Sequence, residues 1–120
     1  GMAFTSDNVH IFLAVLEAGS FSAAARRLKR VPSAVSMTIG HLEAELGLAL
    51  FDRAGREPQP TPAARALEPQ ARQLAAQLRQ LQAHALSLTQ GLESRLAIAI
   101  APELLTAPWA QPLAALAQDY

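Results

Sequence analysis

A chain of 120 residues with ten basic side chains, ten acidic ones and no cysteine is expected to hold one compact domain with some chain left over. Its zero formal charge counts against a nucleic-acid partner held by the overall field alone. The missing thiols exclude a disulfide framework, cysteine-ligated zinc and thiol catalysis.

Alanine and leucine dominate and only 5% of the residues are aromatic, so the expected class is mainly α. No apolar run of about 18 residues predicts a membrane span, and no signal peptide precedes the first helix. A reducing, cytoplasmic location and no membrane partner are expected. Gly1 ahead of Met2 reads as the scar of a removed tag, and the end at Tyr120 as a cut.

The first helix is predicted over 6–18, capped by Ser6 or Asp7, with Val9, Phe12, Leu13 and Leu16 as its apolar face. Gly19 stops it. A second helix follows with Phe21, Ala24, Ala25 and Leu28 on one face, started by Ser20 or Ser22. A third begins at Pro32, which suits a first helical position, and turns Val35, Ile39, Leu42 and Leu46 inward. Lys29-Arg30-Val31 between them leaves room only for a sharp corner. Two short helices joined in this way form a helix-turn-helix, whose second helix fits a major groove. Arg26, Arg27, Lys29 and Arg30 lie between residues 20 and 42 with no acidic residue among them, a basic ridge where phosphates would sit.

Beyond Gly47, Ala49 to Arg53 and Glu57 to Pro60 flank Ala54-Gly55-Arg56 as two short extended arms, a hairpin wing. Pro58 and Pro60 confine the second arm to an edge. Phe51 is expected as a core plug, and Arg53 and Arg56 as phosphate contacts. Thr61 then caps a long helix with Pro62 at its first position, predicted to run to about residue 90. Leu67, Ala71, Leu74, Leu78, Leu81, Ala85, Leu88 and Leu92 recur in it at steps of four and three, a seam for helix-on-helix pairing. A winged helix-turn-helix of about 60 residues has too little surface to cover a helix of roughly 40 Å, which favours a second chain as the partner. Pro69 predicts a bend near the helix start. Gly91 is expected to end the helix, 95–101 to form an apolar strand, and a helix with Trp109, Leu113 and Leu116 to follow around 108–119.

Three histidines, at 10, 41 and 84, are scattered, and no local set of nucleophile and base suggests an enzyme. His10 and His84 are expected to be ordinary surface residues.

The blocks GSFSAAARRL, PSAVSxxIxxLExELGxxLFxR and RxPxxTPA, in this order and spacing, resemble the N-terminal domain of the LysR-type transcriptional regulators. The resemblance covers about residues 4–101, more weakly to Tyr120. It implies a winged helix-turn-helix with a small β wing at 4–61, a linker helix at 62–91 and the start of an effector-binding domain, of the periplasmic-binding-protein kind, at 92–120. The linker helix would pair antiparallel with its copy into a homodimer through Leu67, Leu74, Leu78, Leu81, Ala85 and Leu88; a tetramer stays open for the longer protein. No cofactor is implied for the part present, since a small-molecule effector would bind the missing domain.

On this resemblance residues 32–45 form the recognition helix. Its outward positions are Ser33, Ser36, Met37, Gly40 and His41, and Pro32 at its start and Arg30, Arg53 and Arg56 beside it would also meet double-stranded DNA. Most family members enter this helix with Ser-Gln-Pro and often carry an arginine after the second serine. Val31-Pro32-Ser33 and Met37 depart from that pattern, which implies altered specificity and a helix without a side-chain cap. Serine hydroxyls and a methionine lack bidentate readout, so DNA shape is expected to carry part of the preference. The rival reading is a winged helix that serves only protein interaction or dimerisation, without DNA readout.

Overall fold

The computed structural model describes residues 2–100, and the helix expected over 108–119, Trp109 included, lies outside them. Residues up to Gln77 form one compact unit, and the chain from Leu78 onward belongs to a second. The elements run α1 (Ser6–Ala18), α2 (Phe21–Leu28), α3 (Pro32–Leu46), β1 (Phe51–Asp52), β2 (Gln59–Pro60) and α4 (Pro62–Ile100). The architecture is a winged helix-turn-helix continued by a long helix.

Each helix end has a local cause. α1 is capped by Thr5, not by Ser6 or Asp7 as expected. The Thr5 hydroxyl accepts from the Asn8 N–H at 3.1 Å while Asn8 Oδ1 accepts from the Thr5 N–H at 2.8 Å. This reciprocal box satisfies two free donors at once, which neither alternative offers. Asp7 is thereby placed in the first turn with its carboxylate free to reach elsewhere. Ser20 caps α2 through the Ala23 N–H at 3.0 Å. Gly19 and Gly47 close α1 and α3 in the left-handed conformation, at φ of 81° and 68°, where a glycine avoids the Cβ clash.

The core forms where the apolar stripes of α1, α2 and α3 meet. Val9, Ile11, Phe12, Val15, Ala24, Ala25, Val35, Ile39, Leu42 and Leu50 are all but inaccessible to solvent. Leu16, expected inward, packs half-buried at the margin. Phe51 plugs the underside of the wing, with its ring edge-on to Phe12 and Phe21 at centroid distances of 6.0 Å each. The wing itself is two residues per arm, Phe51 opposite Pro60 and Asp52 opposite Gln59. Thr61 secures its base: the hydroxyl donates to the Ala49 carbonyl at 2.6 Å and accepts from the Ala64 N–H at 3.2 Å. One side chain thus ends the hairpin and starts α4.

The first turns of α4 belong to this core. Ala64 and Ala75 are buried in it, and Leu67 and Ala71 pack against it. Arg72 adds ion pairs to Glu17 and Glu68 at 2.7 Å each. Leu67 is therefore engaged within its own unit. Pro69 lies inside the helix without ending it.

Two expectations about α4 are corrected. The helix does not stop at Gly91, and 95–100 is helical, not a strand. An apolar run of five residues, 96–100, cannot be told from helix by periodicity. A strand must find a neighbour for its backbone groups, and among the described residues the sole strands are the two-residue wing arms. A helix satisfies those groups within itself, and Arg, Leu and Ala all favour it. From Leu78 onward, Leu81, Leu86, Leu88, Leu92, Leu96 and Ile100 are exposed. No helix among the described residues is long and apolar enough to cross a membrane.

Candidate nucleic-acid interface

With Val35, Ile39 and Leu42 buried, the period of α3 turns a polar strip outward. Pro32, Ser33, Met37 and His41 are exposed on it, and Ser36 and Gly40 are half-buried. Met37 stands 60% exposed, an unbranched apolar side chain left in water beside serines, as contact with a thymine methyl would use it. Val31 precedes the helix with no side-chain cap, as the Val31-Pro32-Ser33 run predicts.

The cations around the corner divide into two groups. Arg27 pairs with Glu17 at 2.9 Å. Arg30 holds Asp7 with both guanidinium arms, at 3.0 and 2.5 Å. Arg53 reaches Glu43 at 3.1 Å and the Ser36 hydroxyl at 3.0 Å. Arg26, Lys29 and Arg56 make no ion pair among the described residues. The ridge is acid-free along the chain but not in space. Asp7 and Glu17 come from α1 and partner two of its four charges, and Glu43 from the last turn of α3 partners Arg53 in the wing.

The hydrogen bonds from Arg30 hold the Asp7 carboxyl below its ordinary range, against a smaller opposing effect of burial; the same bonds raise Arg30. A lowered carboxyl favours the fold above the ordinary carboxylate range, and that contribution is lost as pH falls through the lowered value. Near neutrality both partners are charged.

Glu43 lies in the LExEL block, where residue order alone gives it no role. One carboxylate oxygen accepts the backbone N–H groups of Leu50 and Phe51 at 2.7 and 3.2 Å, and the other holds Arg53. It ties the end of α3 to the first arm of the wing. Glu43→Ala is expected to lower stability by about 2 kcal/mol, because two backbone donors beside the buried Leu50 and Phe51 lose their acceptor. Chemical denaturation checks this, and a loss under about 0.5 kcal/mol would show that water substitutes for the carboxylate.

A three-helix unit with a wing and a solvent-facing third helix defines a helix-turn-helix protein of the winged class. The family described as "Bacterial regulatory helix-turn-helix protein, lysR family" matches residues 6–65. The chain belongs to the LysR family. It is 47% identical over 108 residues to the HTH-type transcriptional regulator AceR of Acinetobacter baumannii, covering 90% of this chain and 36% of AceR. The chain thus spans about a third of that relative's length.

Among solved structures, the DNA-binding fragment of BenM with its benA site 1 DNA matches with a TM-score of 0.67 and 28% identity, over 72% of this chain and 97% of that one. The CbnR fragment in complex with DNA matches with a TM-score of 0.65 and 28% identity, over 72% and 99%.

Proposed function

We propose that this chain is the DNA-binding end of a sequence-specific transcriptional regulator that binds double-stranded DNA as a homodimer, with α3 in the major groove. The observation that carries the reading is the exposed Ser33–Met37–His41 strip on a helix whose opposite face is fully buried. That helix stands beside Lys29 and Arg26, two cations that make no ion pair among the described residues. Arg56 at the wing tip would meet the adjacent phosphates. BenM and CbnR fragments of the same fold are solved with DNA, which supports the docking mode.

Residues from Leu74 along α4, with Leu78, Leu81, Ala85 and Leu88, supply the pairing seam; all of these but the half-buried Leu78 are exposed, which leaves apolar surface that a monomer rarely tolerates. In this reading α4 is the linker, an effector-binding domain opens beyond it, and the protein works in the cytoplasm.

Selection of sites from random duplexes tests the proposal. Two half-sites separated by whole helical turns of about 34 Å each are expected. No enrichment over the input pool would reject DNA reading. The partnered arginines and zero net charge favour the second reading, a protein-interaction module, which would show no salt-dependent affinity for random duplex DNA.

Arg30 serves as a phosphate anchor here only by exchanging Asp7 for a phosphate. Asp7→Asn is therefore expected to tighten binding to all duplexes alike with an unchanged salt slope, because the same phosphate is neutralised in both complexes. Arg30→Ala is expected to weaken binding to all duplexes alike and to flatten the slope by about one. Titrations at several salt concentrations check both; a slope unmoved by Arg30→Ala would mean that Arg30 keeps away from the backbone.

A further inference from the structure

The guanidinium of Arg53 is held on three sides. Its carbon lies 4.7 Å above the centre of the Phe21 ring, Nη2 donates to Glu43 Oε1 at 3.1 Å, and Nη1 donates to Ser36 Oγ at 3.0 Å. Glu43 is in turn anchored by the Leu50 and Phe51 N–H groups, and the Phe21 ring abuts Phe51. A continuous chain of contacts runs from the backbone of β1 to one hydroxyl on the outward strip of α3. A cation so fixed is poorly placed to follow a phosphate.

We infer that Arg53 is a positioning residue that sets Ser36 as a hydrogen-bond donor to base edges in the major groove; this rests on the DNA-binding reading above. A guanidinium has donors and no acceptor, so the Ser36 oxygen must accept in this bond. The hydroxyl proton then remains to be given away. A helical hydroxyl commonly gives it to the carbonyl four residues back, as Thr89 does to Ala85 at 3.0 Å. Ser36 makes no such bond among the described residues. Its proton is left for the groove, sharpened by the adjacent cation.

A serine by itself is an ambiguous reader, since it both gives and accepts. With its oxygen occupied by Arg53 it favours an acceptor, the O6 or N7 of guanine, O4 of thymine or N7 of adenine. It disfavours the amino groups of cytosine and adenine. The fork of Arg53 thus converts a degenerate contact into a directional one. This supplies base discrimination in a helix without a bidentate reader.

The experiment is site selection followed by equilibrium competition on the selected duplex and its single-base variants, with thermal melts to confirm folding. Wild type is compared with Ser36→Ala, Arg53→Met, Arg53→Lys and the double variant Ser36→Ala, Arg53→Met. Ser36→Ala and Arg53→Met are expected to lose preference at the same base pair, each about threefold to tenfold, as one hydrogen bond would give. The double variant should lose no more than either. Arg53→Lys keeps the charge but not the fixed fork, so its preference should fall while its salt slope stays that of wild type.

The inference is overturned if Arg53→Met weakens all duplexes alike with preferences intact and a salt slope lower by about one, which is the signature of a phosphate anchor. It is equally overturned if Ser36→Ala keeps every preference, or if Arg53→Lys, the variant least able to disturb the fold, reads DNA as wild type does. Wild type without any salt-dependent duplex binding would instead remove the DNA-binding reading itself, and this inference with it.

Discussion

Phe12→Ala is expected to destabilise the N-terminal unit by about 3–5 kcal/mol, enough to leave it marginally folded. Phe12 is wholly inaccessible to solvent and meets Phe51 edge-on, the rings inclined at 63°. Phe51 in turn supports Phe21, over which Arg53 stacks. The hole left by the ring could close only by moving α1 against the wing, so little of the cost is recovered by relaxation. Urea denaturation should show a lower midpoint with an unchanged slope. A midpoint shift worth less than about 1 kcal/mol would mean that the aromatic chain is not the keystone of this unit.

The double change Leu78→Glu, Leu81→Glu is expected to convert a dimer into a monomer. Leu81 is 65% exposed, and neither residue is buried within its chain, so the substitution costs the monomer little; glutamate is itself a good helix former. In a paired seam the same two carboxylates would be buried against apolar neighbours without partners. Sedimentation velocity should show one species at the monomer mass. Affinity for a two-half-site operator should fall on the order of 100-fold, because the second head no longer binds at high effective concentration. A dimer that survives both changes would place the interface elsewhere.

Much of the fold was legible because its signals are local. Gly19 and Gly47 stop helices through their own backbone freedom, and Pro32 and Thr61 start them through groups within one turn. The inward set Val35, Ile39 and Leu42 follows from helical period alone, and the outward set Ser33, Met37 and His41 follows with it. Thr5 was missed because four consecutive residues, Thr5 to Asn8, are all good caps, and only the reciprocal bond to Asn8 chooses among them. The apolar run 96–100 was misread for a related reason. Its composition suits a strand inside a sheet, but a strand exists only where neighbours pair with it.

The candidate site divides along the same line. Residue order by itself determined where the third helix lies, which of its faces meets water and where the cations cluster, since each depends on spacing within a few turns. Only the tertiary structure decided which of those cations are free. Asp7 and Arg30 stand 23 positions apart in the chain and 2.5 Å apart in space, and Glu17 is joined to Arg72 across 55 positions. Charge compensation falls off with distance through space, not along the chain. Packing α1 against the corner therefore brought carboxylates to arginines that the linear order leaves unopposed.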